Sequence, residues 1–406
     1  MLTKKAFLPI IDNIIFICLI IYSLTFLFHF HNFLSIAFYF ALLKYIIYRP
    51  KITISSKHFY FILLFLFSTF LSIFLNDISS ISTFYLKEYS SRFITPLVGL
   101  LIIFSFKITE KKFITLLTCF SFTLSINSLF VIYQFLNGNT DRPTGLVEPS
   151  NYMLLCIELL ILPIIFTFLL NKKDLTTKLK IFFTISILLN TLSIIFQNTR
   201  IIWIGIFFSF LLILFFSIKS YKKFFIYISI IMICLFTIFH SSPISLERFH
   251  SIYNMNYSNQ SNSERLLMWQ SSINMFIDHP FFGIGIGNFH QEYVNHYHLP
   301  EAREMTFHPH NNFLFILIET GIFGIISYLI FVFYSYYNTL KTWFNTKTTI
   351  SLSYLSILTS YTINNLTDSV FCSNSVEKLT YMFWFITGVY LVLNKFIVIS
   401  FNNSNK

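Results

Sequence analysis

Histidine is concentrated in one stretch of this chain. Six of its eleven histidines, His279, His290, His296, His298, His308 and His310, fall within 32 residues. Such a cluster suits a metal centre or acid–base chemistry. No HExxH pattern and no cysteine pair accompanies these histidines, and the nearby acids are scattered, so no metal is expected. His310 differs from the others by its place. His308-Pro-His310-Asn-Asn312 runs straight into an apolar stretch, with asparagine as the natural helix cap. An imidazole at a helix N-terminus resists protonation, so His310 should stay neutral near pH 7 and can accept a proton as a general base. The alternative is a histidine that only caps the helix or bonds a carbonyl. Glu319, about two turns further on, is a carboxylate inside an apolar run. Such groups are costly and point to function, here by pairing with an arginine.

The residues before this stretch must position it. Ser261-Asn-Ser-Glu264 has the capping-box pattern and predicts a helix over 262–277, ended by Asp278-His-Pro280. Leu266, Trp269, Ile273, Phe276 and Ile277 form one apolar stripe on it, to lie on the membrane surface or on other helices. Arg265 stands in the first turn, where a cation opposes the helix dipole and gains nothing locally. It is either a snorkelling surface arginine or an anion contact reinforced by the helix amides. Phe282-Gly-Ile-Gly-Ile-Gly287 is only superficially a nucleotide-binding loop, because no strand precedes it; a tight turn bringing backbone close to the bundle is expected instead.

The remainder of the 406 residues is built for lipid. Hydrophobic residues make up 55% and charged residues only 11%, with 54 Phe and a mean hydropathy of +0.69. Soluble domains carry roughly 25% charge, so a soluble enzyme, a disordered chain and a disulfide scaffold are all excluded. Four of the five cysteines sit in apolar runs. Twelve candidate spans follow: 8–28, 33–48, 59–75, 93–106, 113–136, 152–170, 181–197, 201–218, 224–240, 312–335, 350–366 and 379–399. The first resembles a signal peptide but is long and lacks a small-residue cleavage site, so it is read as retained. The expected class is all-α, a polytopic membrane protein of about 12 transmembrane helices. Residues 1–240 hold the first nine, 241–311 form one large structured outer segment, and 312–406 hold the last three.

Charge orients these spans. Of 28 Lys and Arg, 20 lie in the termini and loops of one side, which the positive-inside rule makes cytoplasmic. The net charge of +11 therefore reflects membrane topology and not a nucleic-acid partner. Six of seven arginines, Arg92, Arg142, Arg200, Arg248, Arg265 and Arg303, lie on the opposite side, whereas lysines divide nineteen inside to two outside. Topology is indifferent to which cation it uses. Arginine gathered where positive charge is disfavoured suggests forked recognition of phosphate, unless these residues pair with Asp141, Glu148, Glu247 and Glu264.

Several motifs together resemble the O-antigen ligase family, a group that includes some O-antigen polymerases and protein O-oligosaccharyltransferases. They are Glu264-Arg-Leu-Leu-Met-Trp269, His279-Pro-Phe-Phe-Gly283-Ile-Gly-Ile-Gly-Asn-Phe289, His308-Pro-His-Asn-Asn-Phe-Leu314 and Glu319-Thr-Gly-Ile-Phe-Gly324. Arg142-Pro-Thr-Gly145 with Pro149-Ser-Asn151, and Asn198-Thr-Arg200, agree more weakly; Thr199 stands where the family often has Ser. The resemblance implies a bacterial inner-membrane glycosyltransferase, GT-C-like, with its active site facing the periplasm and both termini cytoplasmic. It also implies inverting transfer from an undecaprenyl-diphosphate-linked glycan, with no metal, nucleotide or other cofactor. Arg200 and Arg265 would bind the diphosphate and His310 would be the essential histidine, with Arg142, His308 and Glu319 as further substrate-binding positions. The expected acceptor is lipid A–core. Glycan polymerisation on the same carrier is the nearest rival. Protein glycosylation is less favoured, because only about 80 residues follow Gly324. A transporter or flippase would spread charge through its spans.

Overall fold

A computed structural model of the chain describes residues 4–28, 32–49, 56–76, 83–106, 108–139, 142–146, 152–241, 243–251, 260–369 and 377–404. Asp141, Glu148, 149–151 and Cys372 lie outside the described residues, as do the side chains of Arg248, Cys234 and Lys378. Among the described residues every regular element is helical. In chain order they are α1 (Lys4–Thr25), α2 (Asn32–Tyr48), α3 (Ser56–Asn76), α4 (Thr83–Tyr89), α5 (Val98–Ser105), α6 (Glu110–Leu136), α7 (Tyr152–Asn171) and α8 (Thr177–Phe196). There follow α9 (Arg200–Ser217), α10 (Tyr221–Ser241), α11 (Pro243–His250), α12 (Gln260–Asp278), the single turn α13 (Phe289–Glu292), α14 (Asn312–Thr346), α15 (Thr349–Asn364) and α16 (Glu377–Ser404).

Each of the twelve apolar runs coincides with a helix, and seven helices among the described residues are long and apolar enough to cross a membrane. This is a polytopic helical membrane protein. The run 93–106 is the exception in shape. It is the second half of a bent segment in which α4 passes through irregular turns at 90–97, around Pro96, into the eight-residue α5. Proline lacks the amide that would continue a regular ladder, which accounts for the break. At 1.5 Å per residue, α5 alone rises about 12 Å, too little for a hydrocarbon core of about 30 Å.

The bundle is knitted by small and polar side chains, as expected where lipid removes the usual hydrophobic drive between helices. α7 is central, with Leu154, Ile157, Ile161 and Phe168 all buried. α6 and α8 share hydrogen bonds from Ser125 Oγ to Ser186 Oγ at 2.9 Å and from Ser128 Oγ to Asn190 Oδ1 at 3.0 Å. Lys44 of α2 and Asp12 of α1 form a buried ion pair.

α14 departs most from expectation. A single span over 312–335 becomes a 35-residue helix interrupted at Gly321, whose φ of 67° and ψ of −165° are not helical. Residues 260–311 fold against its first half. Met268, Met275, Ile284, Phe289 and Tyr293 pack on Phe315 and Ile318. This packing uses a side of α12 that shares only Trp269 with the expected stripe. The bundle-facing side is Leu267, Met268, Ser271 and Met275, whereas Leu266, Ile273 and Ile277 are exposed. Periodicity marked an apolar line, but the flexible methionines fit the facing aromatic surface better.

Candidate active site

Asn311 starts α14, its side-chain oxygen accepting from the amides of Phe313 at 3.0 Å and Leu314 at 3.1 Å. The residue before it, His310, has φ of 49°, a left-handed conformation that a bulky residue adopts only when its surroundings hold it there. Those surroundings are specific. Trp269 Nε1 donates to the Pro309 carbonyl at 2.9 Å, Thr306 Oγ1 to the His308 carbonyl at 2.8 Å, and the Asn311 amide to Ser369 Oγ at 3.1 Å. As a result the His308 and His310 rings meet edge to face at 4.2 Å, and His310 Nδ1 lies 3.9 Å from Asp368 Oδ1.

Burial pushes His310 down to about 4, helped by His308 and Arg265 and opposed by Asp368. His308 is lowered as well, by burial first, with Asp368 opposing and Arg265 and Arg92 adding to the drop. The expected neutrality of His310 thus rests on a larger cause than the helix terminus. Yet 31% of the His310 side chain stays exposed, so the ring is accessible.

Arg265 reaches this cluster from the first turns of α12. Among the described residues it makes no hydrogen bond or ion pair, although it lies near enough to both histidines to disfavour their charged forms. Glu264 does not neutralise it. That carboxylate accepts from the amides of Arg303 at 3.0 Å and Glu304 at 3.2 Å, so the pattern read as a capping box instead pins the 303–304 backbone. Arg200, first residue of α9, donates to the Ser251 carbonyl at 2.8 Å, Ser251 Oγ at 3.0 Å and Ser261 Oγ at 3.2 Å. Ser261 and Arg265 share one helix, about 6 Å apart along its axis. Arg142 is exposed in a turn beyond α6.

Glu319 sits below, in the last turn before the break in α14. Its two oxygens each lie 3.0 Å from Arg92 Nη1, and one also accepts the Gly287 amide at 2.9 Å. The ion pair is deeply buried, with 9% of the Arg92 side chain and 2% of the Glu319 side chain exposed. Arg92 also meets Glu88 at 2.8 Å. The glycine-rich turn explains the break. Where α14 opens, the carbonyls of Ile318 and Glu319 accept from the amides of Ile284 at 2.8 Å and Gly285 at 3.1 Å, and Ile322 donates back to Pro280 at 2.9 Å. A Cβ on Gly283 would run into the Ile318 carbonyl, and one on Gly321 into that of Phe281. The three glycines of the turn are therefore a backbone contact with the bundle, as expected.

Sequence reasoning did not single out Asp368 or assign Arg92 to the site. The spacing of four between Glu88 in α4 and Arg92 in the turn that follows it is a signal for the second; nothing marks Asp368. The His308, His310 and Asp368 ligand atoms lie within 4.8 Å of one another, close enough to surround a cation. Arg265 already acts on both histidines and Arg92 on His308, and their field opposes a metal ion there.

An apolar cavity of about 300 Å³ opens between α8, α9 and α10, lined by Ile194, Trp203, Phe207, Ile231 and Phe249. It adjoins Arg200, because Trp203 is one turn along α9 and Phe249 is two residues before Ser251.

No curated protein matches this chain. The sequence model of the O-antigen ligase family matches residues 185–329, a stretch that holds Arg200, Arg265, His308, His310 and Glu319 but not Arg92, Arg142 or Asp368. Residues 185–329 are thus an O-antigen ligase domain, of a family of glycan-transferring enzymes, carried by a multi-pass membrane protein.

Proposed function

We propose that the protein is an O-antigen ligase. It moves a glycan from undecaprenyl diphosphate to lipid A–core on the periplasmic face of a bacterial inner membrane. The topology that fits is twelve spans, the fourth being the whole bent segment 83–106, with both termini cytoplasmic and the catalytic segment 241–311 lying between spans nine and ten. The carrying observation is Arg265, a guanidinium without a partner among the described residues, facing a histidine pair that burial keeps neutral. A cation left unpaired beside a neutral base suits an anionic substrate that must lose a leaving group while its acceptor loses a proton.

In this reading Arg265 and Arg200 grip the diphosphate, with Arg142 and His308 as further contacts. The apolar cavity beside Arg200 takes part of the polyprenyl chain. The acceptor hydroxyl attacks the anomeric carbon from the face opposite the diphosphate, inverting it. The C–O bond to phosphate breaks, its electron pair stays on the phosphate oxygen, and the arginines stabilise the growing charge from fixed positions. The hydroxyl proton passes to His310 and then to water. Asp368 supports the transient imidazolium, while Glu319 holds the 283–287 turn through Arg92 and Gly287 and serves the substrate indirectly. No metal or nucleotide is required, because the lipid diphosphate is already activated.

The test is lipopolysaccharide from a deletion strain, run beside a measurement of lipid-linked glycan. Bare core with long glycan left on the carrier supports ligation. Core bearing a single repeat means polymerisation and overturns the acceptor assigned here.

His310 also predicts a pH profile. A base whose ionisation lies at about 4 is already free at neutral pH, so kcat/KM should hold level from pH 7 to about 5 and fall as the pH nears 4. An ordinary histidine would lose activity near 6.5. The same depression makes the fold more stable as pH rises from 4 to 6.5, since there the unfolded chain binds the proton and the folded one does not. Full activity in His310→Ala with an unchanged profile would remove the base.

A further inference from the structure

The turn that carries Arg142 is held by a device outside the catalytic cluster. Gln134 Nε2 donates to the Gly145 carbonyl at 3.0 Å, and the Gly145 amide donates to Gln134 Oε1 at 2.7 Å. One side-chain amide thereby satisfies both backbone groups of one residue. Seven positions earlier, on the same face of α6, the fully buried Asn127 accepts the Leu146 amide at 2.9 Å. Gly145 has φ of 76°, and a Cβ there would run into the Asn127 side chain. Pro143 is buried while Arg142 points into the open. The described turn, 142–146, is therefore tied to α6 by three hydrogen bonds, and its one cation is presented outward.

α6 does not need this clasp to end properly. Its last turn is closed by backbone bonds from Asn137 to Tyr133 and from Asn139 to Gln134, at 3.1 Å each. The side-chain amide is thus free of any helix-ending duty. The clasp also has a direction. Phe135, next to Gln134, stacks face to face on Phe196 at 3.8 Å, and Arg200 follows four residues beyond Phe196. Arg142 and Arg200 hang from the same end of the same helix pair.

We infer that Gln134 is a positioning residue that sets Arg142 beside Arg200 as a further guanidinium, with Arg200 and Arg265, for the diphosphate of the donor. This rests on the reading of Arg142 as a donor contact. A five-residue turn on a free chain would wander. An amide clasp fixes it before the donor arrives, so the ordering cost is not charged against binding.

The experiment uses purified full-length protein in lipid nanodiscs with undecaprenyl-diphosphate glycan and lipid A–core, comparing Q134A, Q134E, R142A and Q134A/R142A. Loss of one charge-assisted contact, at about 1.4 kcal/mol, raises donor KM roughly tenfold in R142A. Q134A should raise donor KM by roughly three- to tenfold, leaving kcat and acceptor KM nearly unchanged. The double variant should be no worse than R142A, because Gln134 acts through Arg142. Glutamate keeps the bond from the Gly145 amide and loses the one to its carbonyl, so Q134E should fall between. Additive effects in the double variant, or an unchanged donor KM in Q134A beside a raised one in R142A, would overturn the inference while sparing Arg142. An unchanged donor KM in R142A itself would overturn the reading of Arg142 and the inference with it.

Discussion

Replacing Arg265 with alanine will reduce glycan transfer by about 10²–10³-fold or more, the usual cost of losing one preorganised donor to a developing oxyanion. The protein should still accumulate in the membrane, because Arg265 makes no hydrogen bond or ion pair among the described residues and its loss strands no partner. Arg265→Lys keeps the charge but not the planar fork, so it should recover little. Full recovery would show that a point charge suffices and that bidentate phosphate recognition is wrong. A second signature separates a role at the site from a general defect. Arg265 disfavours protonation of both His308 and His310. Removing it lets both rings bind protons more readily, so the acid limb of the residual activity should move to higher pH. A variant with lowered activity but the wild-type limb would place Arg265 away from the histidines during turnover.

How much of this was legible beforehand differs by kind of residue. The helices were, because lipid demands long apolar runs and little else; eleven of the twelve runs coincide with one α-helix each, and 93–106 is the bent exception. The cap at Asn311 was legible too, since it depends on residues a few positions apart. The break in α14 was not. Gly321 reads as one more small residue in an apolar span, and it can be non-helical only because amides at 284 and 285 arrive from 34 residues away to take the orphaned carbonyls. The same limit hid Asp368. Its nearness to His310 is set by how the end of α15 meets the start of α14, where the Asn312 amide donates to the Asn365 carbonyl at 2.9 Å. Glu264 shows the opposite failure. A local pattern predicted a capping box, and a tertiary use, holding the backbone at 303–304, outcompeted it.

Glu319 carries the second large effect. Glu319→Ala removes the carboxylate from a pair in which both partners are almost fully buried. Breaking a buried pair from one side costs about 3–5 kcal/mol, since the surviving charge stays desolvated. Arg92 would keep Glu88, which moderates the loss without cancelling it. The Gly287 amide also loses its acceptor, and the turn that fills the gap in α14 loosens. A marked fall in melting temperature in detergent is expected, with transfer declining alongside it. Glu319→Gln should sit between, still able to accept from Gly287 but unable to balance Arg92. The informative comparison is Arg92→Met with Glu319→Leu, which removes both charges. Stability should largely return, because apolar replacement of a buried pair is often neutral or better. Activity should return less, because no carboxylate then anchors Gly287. If Glu319→Ala instead kept its melting temperature and lost only affinity for donor or acceptor, the carboxylate would be touching substrate, and the turn would owe its place to bonds such as the backbone ones at 284, 285 and 322.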